Sequence, residues 1–202
     1  MPENPPEYAQ TVHLLGRARK GDMAAYDQLF EQSAPRLELY LRVRLGKELH
    51  SREESRDLLQ ETYLAAHQDF SRFEDRGQGS FGRWLCQIAE NQIRSRADYH
   101  GAKKRRPPQD LARVSQVIDR LEADDTDVLT IAGRNEQRAK LAAAIATLPT
   151  DERDALLMRH FEGREIAEIA ARTGMSPTSC RRLIGRATVR LGGLIDDLGA
   201  IQ

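Results

Sequence analysis

Several classes of protein are closed off by what this 202-residue chain has little of. It has only two cysteines, Cys86 and Cys180. They lie far apart, each on an apolar helical stripe, so they read as two buried, reduced thiols rather than a disulfide framework or a metal site. Aromatic residues make up 5% of the chain and β-branched runs are rare, with no stretch of period-two alternation, which excludes a sheet-based fold. No apolar run approaches the roughly 20 residues needed to cross a bilayer. The Pro- and Glu-bearing start lacks the charged-then-apolar layout of a secretory signal, and a cytoplasmic location is expected. A net charge of any size is also missing, since 31 Lys and Arg balance 31 Asp and Glu. That balance excludes a uniformly basic coat of the kind that binds nucleic acid everywhere. Catalytic constellations are absent as well. Glu90, His67, His100 and His160 stand singly on helices with no nucleophile–base or metal-ligand spacing, so neither enzyme activity, a metal nor any other cofactor is expected.

What is present is helical periodicity almost throughout, and the expected class is all-α. A first helix covers about residues 8–20, and Gly21 ends it. Asp22 caps a second helix carrying Tyr26, Leu29, Phe30, Leu37, Tyr40, Leu41 and Leu45 inward, with Pro35 as a possible kink. A third, over about 52–69, puts Leu58, Leu59, Thr62, Tyr63 and Ala66 on one side and Asp57, Gln60, Glu61 and Gln68 on the other, a polar face suited to a partner. The segment from Arg72 to Ser80 carries two glycines and reads as a tight irregular loop. Ser80 is then expected to cap a fourth helix with Phe81, Trp84, Leu85, Ile88 and Ala89 inward; Phe81 and Trp84 align with that stripe and read as core.

Charge, although balanced, is segregated. Arg94, Arg96, Lys103, Lys104, Arg105 and Arg106 form one basic cluster, ended by Pro107 and Pro108. Asp119, Glu122, Asp124, Asp125 and Asp127 then make an acidic stretch, read as a flexible linker over 108–134 with a transient helix. Two small helical domains follow from this, 1–107 and 135–202. The second starts near Asn135 with Leu141, Ala144, Ile145 and Leu148, breaks at Pro149 and restarts with Thr150 as cap.

The most specific signal lies near the C-terminus. Glu168, Ile169 and Ala170 lead through Gly174 and Ser176-Pro177 into Cys180-Arg181-Arg182-Leu183-Ile184-Gly185-Arg186-Ala187. Glycine can close a helix in the left-handed region, serine can cap the next helix, and proline suits the first helical position. Cys180, Leu183, Ile184, Ala187 and Leu191 form an apolar stripe. Ser176, Thr178, Ser179, Arg181, Arg182 and Arg186 fall near the helix start or on its other faces. This is the pattern of a helix-turn-helix, whose second helix enters the major groove, where arginine grips guanine edges or phosphates. A solvated helix face is the plainer account of the arginines alone, but the glycine turn and Ser-Pro start favour the DNA-reading one.

Across both domains the chain resembles the compact, extracytoplasmic-function type of bacterial RNA polymerase sigma factors, in the sigma-70 superfamily. The resemblance is carried by Gly21-Asp22 with Tyr26 and Leu29, Pro35-Arg36-Leu37, the run from Asp57 to Tyr63, and Ser80-Phe81 with Trp84-Leu85, Ile88-Ala89 and Asn91. In the second domain it is carried by Leu148-Pro149, Arg153, Arg159, Glu162-Gly163 and the helix-turn-helix residues. It implies a region 2 bundle and a region 4 helix-turn-helix, with contacts to the polymerase and to promoter DNA. Asp57, Leu58, Gln60 and Glu61 match the surface that docks on the clamp coiled coil of core RNA polymerase. Phe73, Arg76, Gln78, Ser80, Asn91, Arg94 and Arg96 match the loop and helix that take the minus-ten element of promoter DNA. Ser176, Thr178, Ser179, Arg181, Arg182 and Arg186 match the helix that reads the minus-thirty-five element. The helices around 141–158 match the part that meets the polymerase flap, and an anti-sigma protein is a further implied partner. Leu183, Gly185 and Ser95 depart from the family pattern. Two other readings remain open: a stand-alone helix-turn-helix regulator, and a sigma mimic that sequesters an anti-sigma protein.

Overall fold

The computed structural model describes residues 6–45, 52–100 and 128–199. Among these the fold is all-α. The helices are α1 (Pro6–Ala18), α2 (Met23–Leu45), α3 (Arg52–Gln68), α4 (Ser80–His100), α5 (Val128–Thr147), α6 (Thr150–Leu156), α7 (Ile166–Thr173) and α8 (Pro177–Gly199). A 3-10 turn, Phe70–Arg72, follows α3, and a π-helical turn, Leu157–Phe161, follows α6. The chain forms two compact units, Met1–Glu38 with Ser51–Asp124 and Leu39–His50 with Asp125–Gln202. Most of the basic cluster, from Lys103 to Arg106, and the acidic stretch from Asp119 to Asp127 lie outside the described residues.

In the first unit the helical stripes meet as their spacing requires. Leu29, Phe30 and Leu37 of α2, Leu58, Leu59, Tyr63 and Ala66 of α3, and Phe81, Leu85, Cys86 and Ala89 of α4 are all buried. Aromatic residues, scarce in the chain, are concentrated here. Tyr26 makes edge contacts with Tyr63, His67, Phe70 and Phe81, and Phe73 packs on Phe70, Phe81 and Trp84. Edge-to-face geometry sets the positive ring edge against the negative face of its neighbour and adds to the area buried. The buried tyrosine hydroxyls of this core have partners. The Tyr26 hydroxyl donates to the Tyr63 carbonyl at 3.0 Å, and the Tyr63 hydroxyl donates to Asp27 at 2.5 Å. Burial raises the Tyr26 phenol well above its ordinary value, so it stays a donor.

Asp22 caps α2 as its sequence position implies, accepting from Ala25 N at 3.1 Å. Pro35 lies inside α2 without ending it. Two caps differ from expectation by one residue. The Gly79 carbonyl already accepts the first helical bond from Arg83, and the Pro149 carbonyl accepts from Arg153. Ser80 and Thr150 are therefore the first helical residues, not caps. α5 also starts upstream of Asn135, because Val128, Leu129 and Ile131 continue the apolar pattern and no proline intervenes before Pro149.

In the second unit, Ala155, Met158, Ile169, Ala170, Cys180, Leu183 and Ile184 form one core cluster, with Ile166 and Met175 packed against it. Both cysteines are buried thiols outside any disulfide, one in each unit. Leu183, 6% exposed, points into this core, which accounts for an apolar residue at that position.

Candidate nucleic-acid and polymerase interfaces

The helix-turn-helix is built by local chemistry. Glu165 and Glu168 form a capping box at the start of α7, with Glu165 N donating to Glu168 Oε2 at 2.8 Å. Gly174 ends α7 at φ 70°, a left-handed conformation in which a side chain is strained. Ser176 then caps α8, its Oγ accepting from Ser179 N at 3.2 Å. The two hydroxyls, Ser176 Oγ and Ser179 Oγ, share a further bond at 2.9 Å. With the apolar stripe fixed inward, Thr178, Ser179, Arg181, Arg182 and Arg186 are all exposed on one helix. Five of the six minus-thirty-five candidates are thus exposed on one surface, and the sixth, Ser176, caps the start of their helix.

One acid not foreseen in the sequence faces Arg186 and Arg190 of α8. Glu152, in the first turn of α6 and 5% exposed, lies 3.1 Å from Arg190 Nε and 3.9 Å from Arg186 Nε. Its Oε2 is buried without a well-directed hydrogen bond. The sequence hint was the four-residue spacing of Arg186 and Arg190, which puts both on one face of α8.

In the first unit the candidates separate into exposed and buried. Asp57 is exposed on α3, with Gln60 and Glu61 half-buried beside it. Leu58 is 1% exposed and belongs to the core, because its position in the 3.6-residue repeat faces α4; it supports the polar face and does not line it. Glu61 accepts from Arg96 at 2.7 Å. On α4, Asn91 and Arg94 are exposed, and Arg94 donates to the buried Glu90 at 2.6 Å.

The loop before α4 also departs from the expectation. Phe73, 4% exposed, is part of the aromatic core, so it anchors the loop and does not present a ring to solvent. Ser80, 8% exposed, uses its hydroxyl on Asp75 at 2.7 Å. Arg76 and Gln78 do face outward. Arg76 pairs loosely with Glu74 at 3.1 Å on an exposed surface, and the Gln78 carbonyl accepts from Arg83 at 3.0 Å. Burial, with Arg36 nearby, lowers the Arg83 guanidinium from its ordinary value. Among the described residues no cluster of His, Cys, Asp and Glu is arranged to hold a metal, and no helix is long and apolar enough to cross a membrane.

Comparison with known proteins identifies the family. The family model for sigma-70 region 2 matches residues 29–102, and that for sigma-70 region 4 matches 138–191. The RNA polymerase sigma-H factor of Pseudomonas aeruginosa is 30% identical over 169 residues, spanning 80% of this chain and 81% of that protein. The chain belongs to the sigma-70 family of RNA polymerase sigma factors. The ECF RNA polymerase sigma factor BldN of Streptomyces coelicolor is 25% identical over 189 residues, spanning 94% of this chain and 67% of that protein. The RNA polymerase sigma factor CarQ of Myxococcus xanthus is 27% identical over 189 residues, spanning 91% and 97%. A solved structure of CnrH in complex with the cytosolic domain of CnrY aligns with TM-score 0.49 at 23% identity, covering 94% of this chain and 98% of that one. Within the sigma frame, the region 2 match contains the polar face of α3, the 73–80 loop and α4, and the region 4 match contains α7 and α8 as far as Leu191.

Proposed function

We propose that this sigma factor binds core RNA polymerase, recognises a minus-ten and a minus-thirty-five promoter element, and assists strand opening at the start site. The observation that supports this most is the exposure of Thr178, Ser179, Arg181, Arg182 and Arg186 together on the second helix of the helix-turn-helix, while Cys180, Leu183, Ile184 and Ala187 of the same helix are buried. Such a face can read base edges and hold phosphates in a major groove. The polar face of α3, with Asp57, Gln60 and Glu61, is assigned to the polymerase clamp, and the segment around 141–158 to the flap. Arg76 and Gln78 of the loop, with Asn91, Arg94 and Arg96 of α4, are assigned to the minus-ten element. There an extruded base would be held while cations hold the backbone.

In this reading the chain is not an enzyme: the polymerase performs the chemistry, and the sigma factor supplies address and melting. It works in the cytoplasm without a cofactor, as two domains, 1–107 and 135–202, joined by the 108–134 linker. An anti-sigma protein that covers these faces is the remaining partner.

Reconstitution with bacterial core polymerase tests the proposal. The wild type should co-elute with core and support promoter-dependent run-off synthesis, and an Asp57→Arg, Gln60→Ala variant should do neither. Absence of core binding by the wild type, with tight binding to duplex DNA alone, would sink the proposal in favour of a stand-alone regulator.

A further inference from the structure

The first unit contains a polar network that neither the aromatic core nor the assigned DNA-facing residues account for, and it converges on one carboxylate. Tyr8, in the first turn of α1, donates its hydroxyl to Asp75 Oδ2 at 3.0 Å. The other oxygen, Asp75 Oδ1, accepts from Ser80 Oγ at 2.7 Å and from Gly77 N at 3.1 Å. Just beyond the other end of α1, Arg19 donates to the Phe73 carbonyl at 3.2 Å. Asp75 thus ties the start of α1, the middle of the loop and the first residue of α4 to one point, while Phe73 is anchored below by its ring. Gly77 takes φ 98°, which lets its N–H turn back onto Asp75. Arg76 and Gln78 are left as the outward side chains between fixed points.

A loop held in its working shape does not have to be ordered when it captures its target, and preorganisation of this kind shows up in rate and in discrimination. We infer that α1 is a clasp for the 73–80 loop: Tyr8 and Arg19 are positioning residues that, through Asp75 and the Phe73 carbonyl, set how fast the holoenzyme opens promoter DNA. The inference rests on the proposed role of this loop in capturing a base. α1 precedes the residues matched by the region 2 family model, 29–102, so Tyr8 and Arg19 lie outside that match, whereas the loop they hold lies within it.

Two substitutions isolate it. Tyr8→Phe keeps the ring and removes one donor; Asp75→Asn keeps the size but leaves one acceptor oxygen where there were two. Each full-length variant is assembled with core polymerase on a promoter selected from a randomised duplex pool by the wild-type holoenzyme. Initial binding and open-complex formation are then measured separately by fluorescence of a base analogue in the minus-ten region. The Tyr8→Phe holoenzyme should bind core and closed promoter as the wild type does, yet open DNA about fivefold more slowly, the factor that one ordinary net hydrogen bond is worth. Asp75→Asn should slow opening further, and the double variant should match Asp75→Asn alone, because both substitutions break the same link. Discrimination against a changed base at the captured position should relax in step with the opening rate. A purely structural role would lower thermal stability and core binding and leave base preference untouched; that outcome overturns the clasp, as would wild-type opening by both variants. Failure of the wild type to bind core or initiate would overturn the proposed function, and the clasp with it.

Discussion

Arg96 of α4 donates to Glu61 of α3 at 2.7 Å, with about a third of each side chain exposed. Glu61 belongs to the proposed polymerase face and Arg96 to the proposed minus-ten face, so one ion pair joins two proposed binding surfaces that the sequence presents separately. Engaging either residue changes the charge the other meets. Partly exposed pairs contribute about 0.2 to 1 kcal/mol. Arg96→Ala should therefore cost stability within that range in urea unfolding. It should also weaken core binding, because Glu61 loses the partner that orients it. Exchanging the pair, Glu61→Arg with Arg96→Glu, should restore stability but not core binding, read by titrating labelled protein with core. Recovery of both would mean that Glu61 does not meet the polymerase.

Arg181 and Arg182 are exposed, and no ion pair to either is found among the described residues. Replacing one with alanine should leave the thermal midpoint unchanged. Holoenzyme affinity for the selected promoter should fall by about 1 to 3 kcal/mol where the arginine reads a base, with discrimination lost at that base pair only. Where it holds a phosphate, affinity should fall on every sequence and the log–log salt slope should shrink by about 1. Anisotropy titrations at several salt concentrations separate the two roles, and a flat salt response would count against both.

Gly174 tests the helix-turn-helix itself. A Cβ built there meets nothing within 4 Å, so the cost of Gly174→Ala is backbone strain alone at φ 70°. That should be about 1 to 2 kcal/mol, with Gly174→Asn costing less because asparagine tolerates the left-handed region. Equal stability of Gly174→Ala and wild type in urea would show that the turn takes another conformation.

Much of this was legible because it is local or periodic. The spacing of Leu58, Leu59, Thr62, Tyr63 and Ala66 states which side of α3 is inside, and Gly174, Ser176 and Pro177 state how α7 ends and α8 begins, each through its own backbone chemistry. Ser80 and Thr150 misled by one position because serine and threonine suit both the cap and the first helical residue. Phe73 was read as a site residue because a loop has no period to show which way a ring points. The contacts of Asp75 with Tyr8, of Glu61 with Arg96 and of Glu152 with Arg190 join residues distant in sequence, and no pattern along one helix encodes them. A face whose residues share an element, as on α8, could be read; contacts assembled between elements could not.

Asp22 predicts a contribution to acid stability. Its carboxylate accepts from Arg17 at 2.6 Å and caps α2, and both interactions favour the charged form, lowering its pKa from the usual 3.8. Between that value and the lower folded-state one, the unfolded chain binds more protons at this position. The stabilisation is therefore complete above about pH 4 and is lost as pH falls through the folded-state value. Asp22→Asn should flatten this part of the acid-unfolding limb and remove the salt bridge at neutral pH. An unchanged acid limb, followed by circular dichroism from pH 6 downwards, would rule out the linkage.

Glu152 should limit how strongly α8, in its proposed role, holds DNA. It is a buried carboxylate within 4 Å of two arginines that are more than half exposed, Arg186 at 68% and Arg190 at 55% of their side chains. Arg186 at 3.9 Å is too far for a hydrogen bond, and Arg190, although at 3.1 Å, is poorly directed, so Glu152 should serve mainly to offset positive charge next to the proposed phosphate path. Glu152→Gln should raise holoenzyme affinity for matched and mismatched duplexes alike at low salt, and the gain should fade as added salt shortens the Debye length below about 8 Å. Stability should change little, because the lost ion pairs are weak and the buried charge they compensate is lost too. Arg190→Ala made alone should lower affinity with the same lack of sequence preference. If Glu152→Gln instead weakens binding, the carboxylate orients Arg186 and Arg190, and the loss should then appear as altered preference at one base pair rather than a uniform shift.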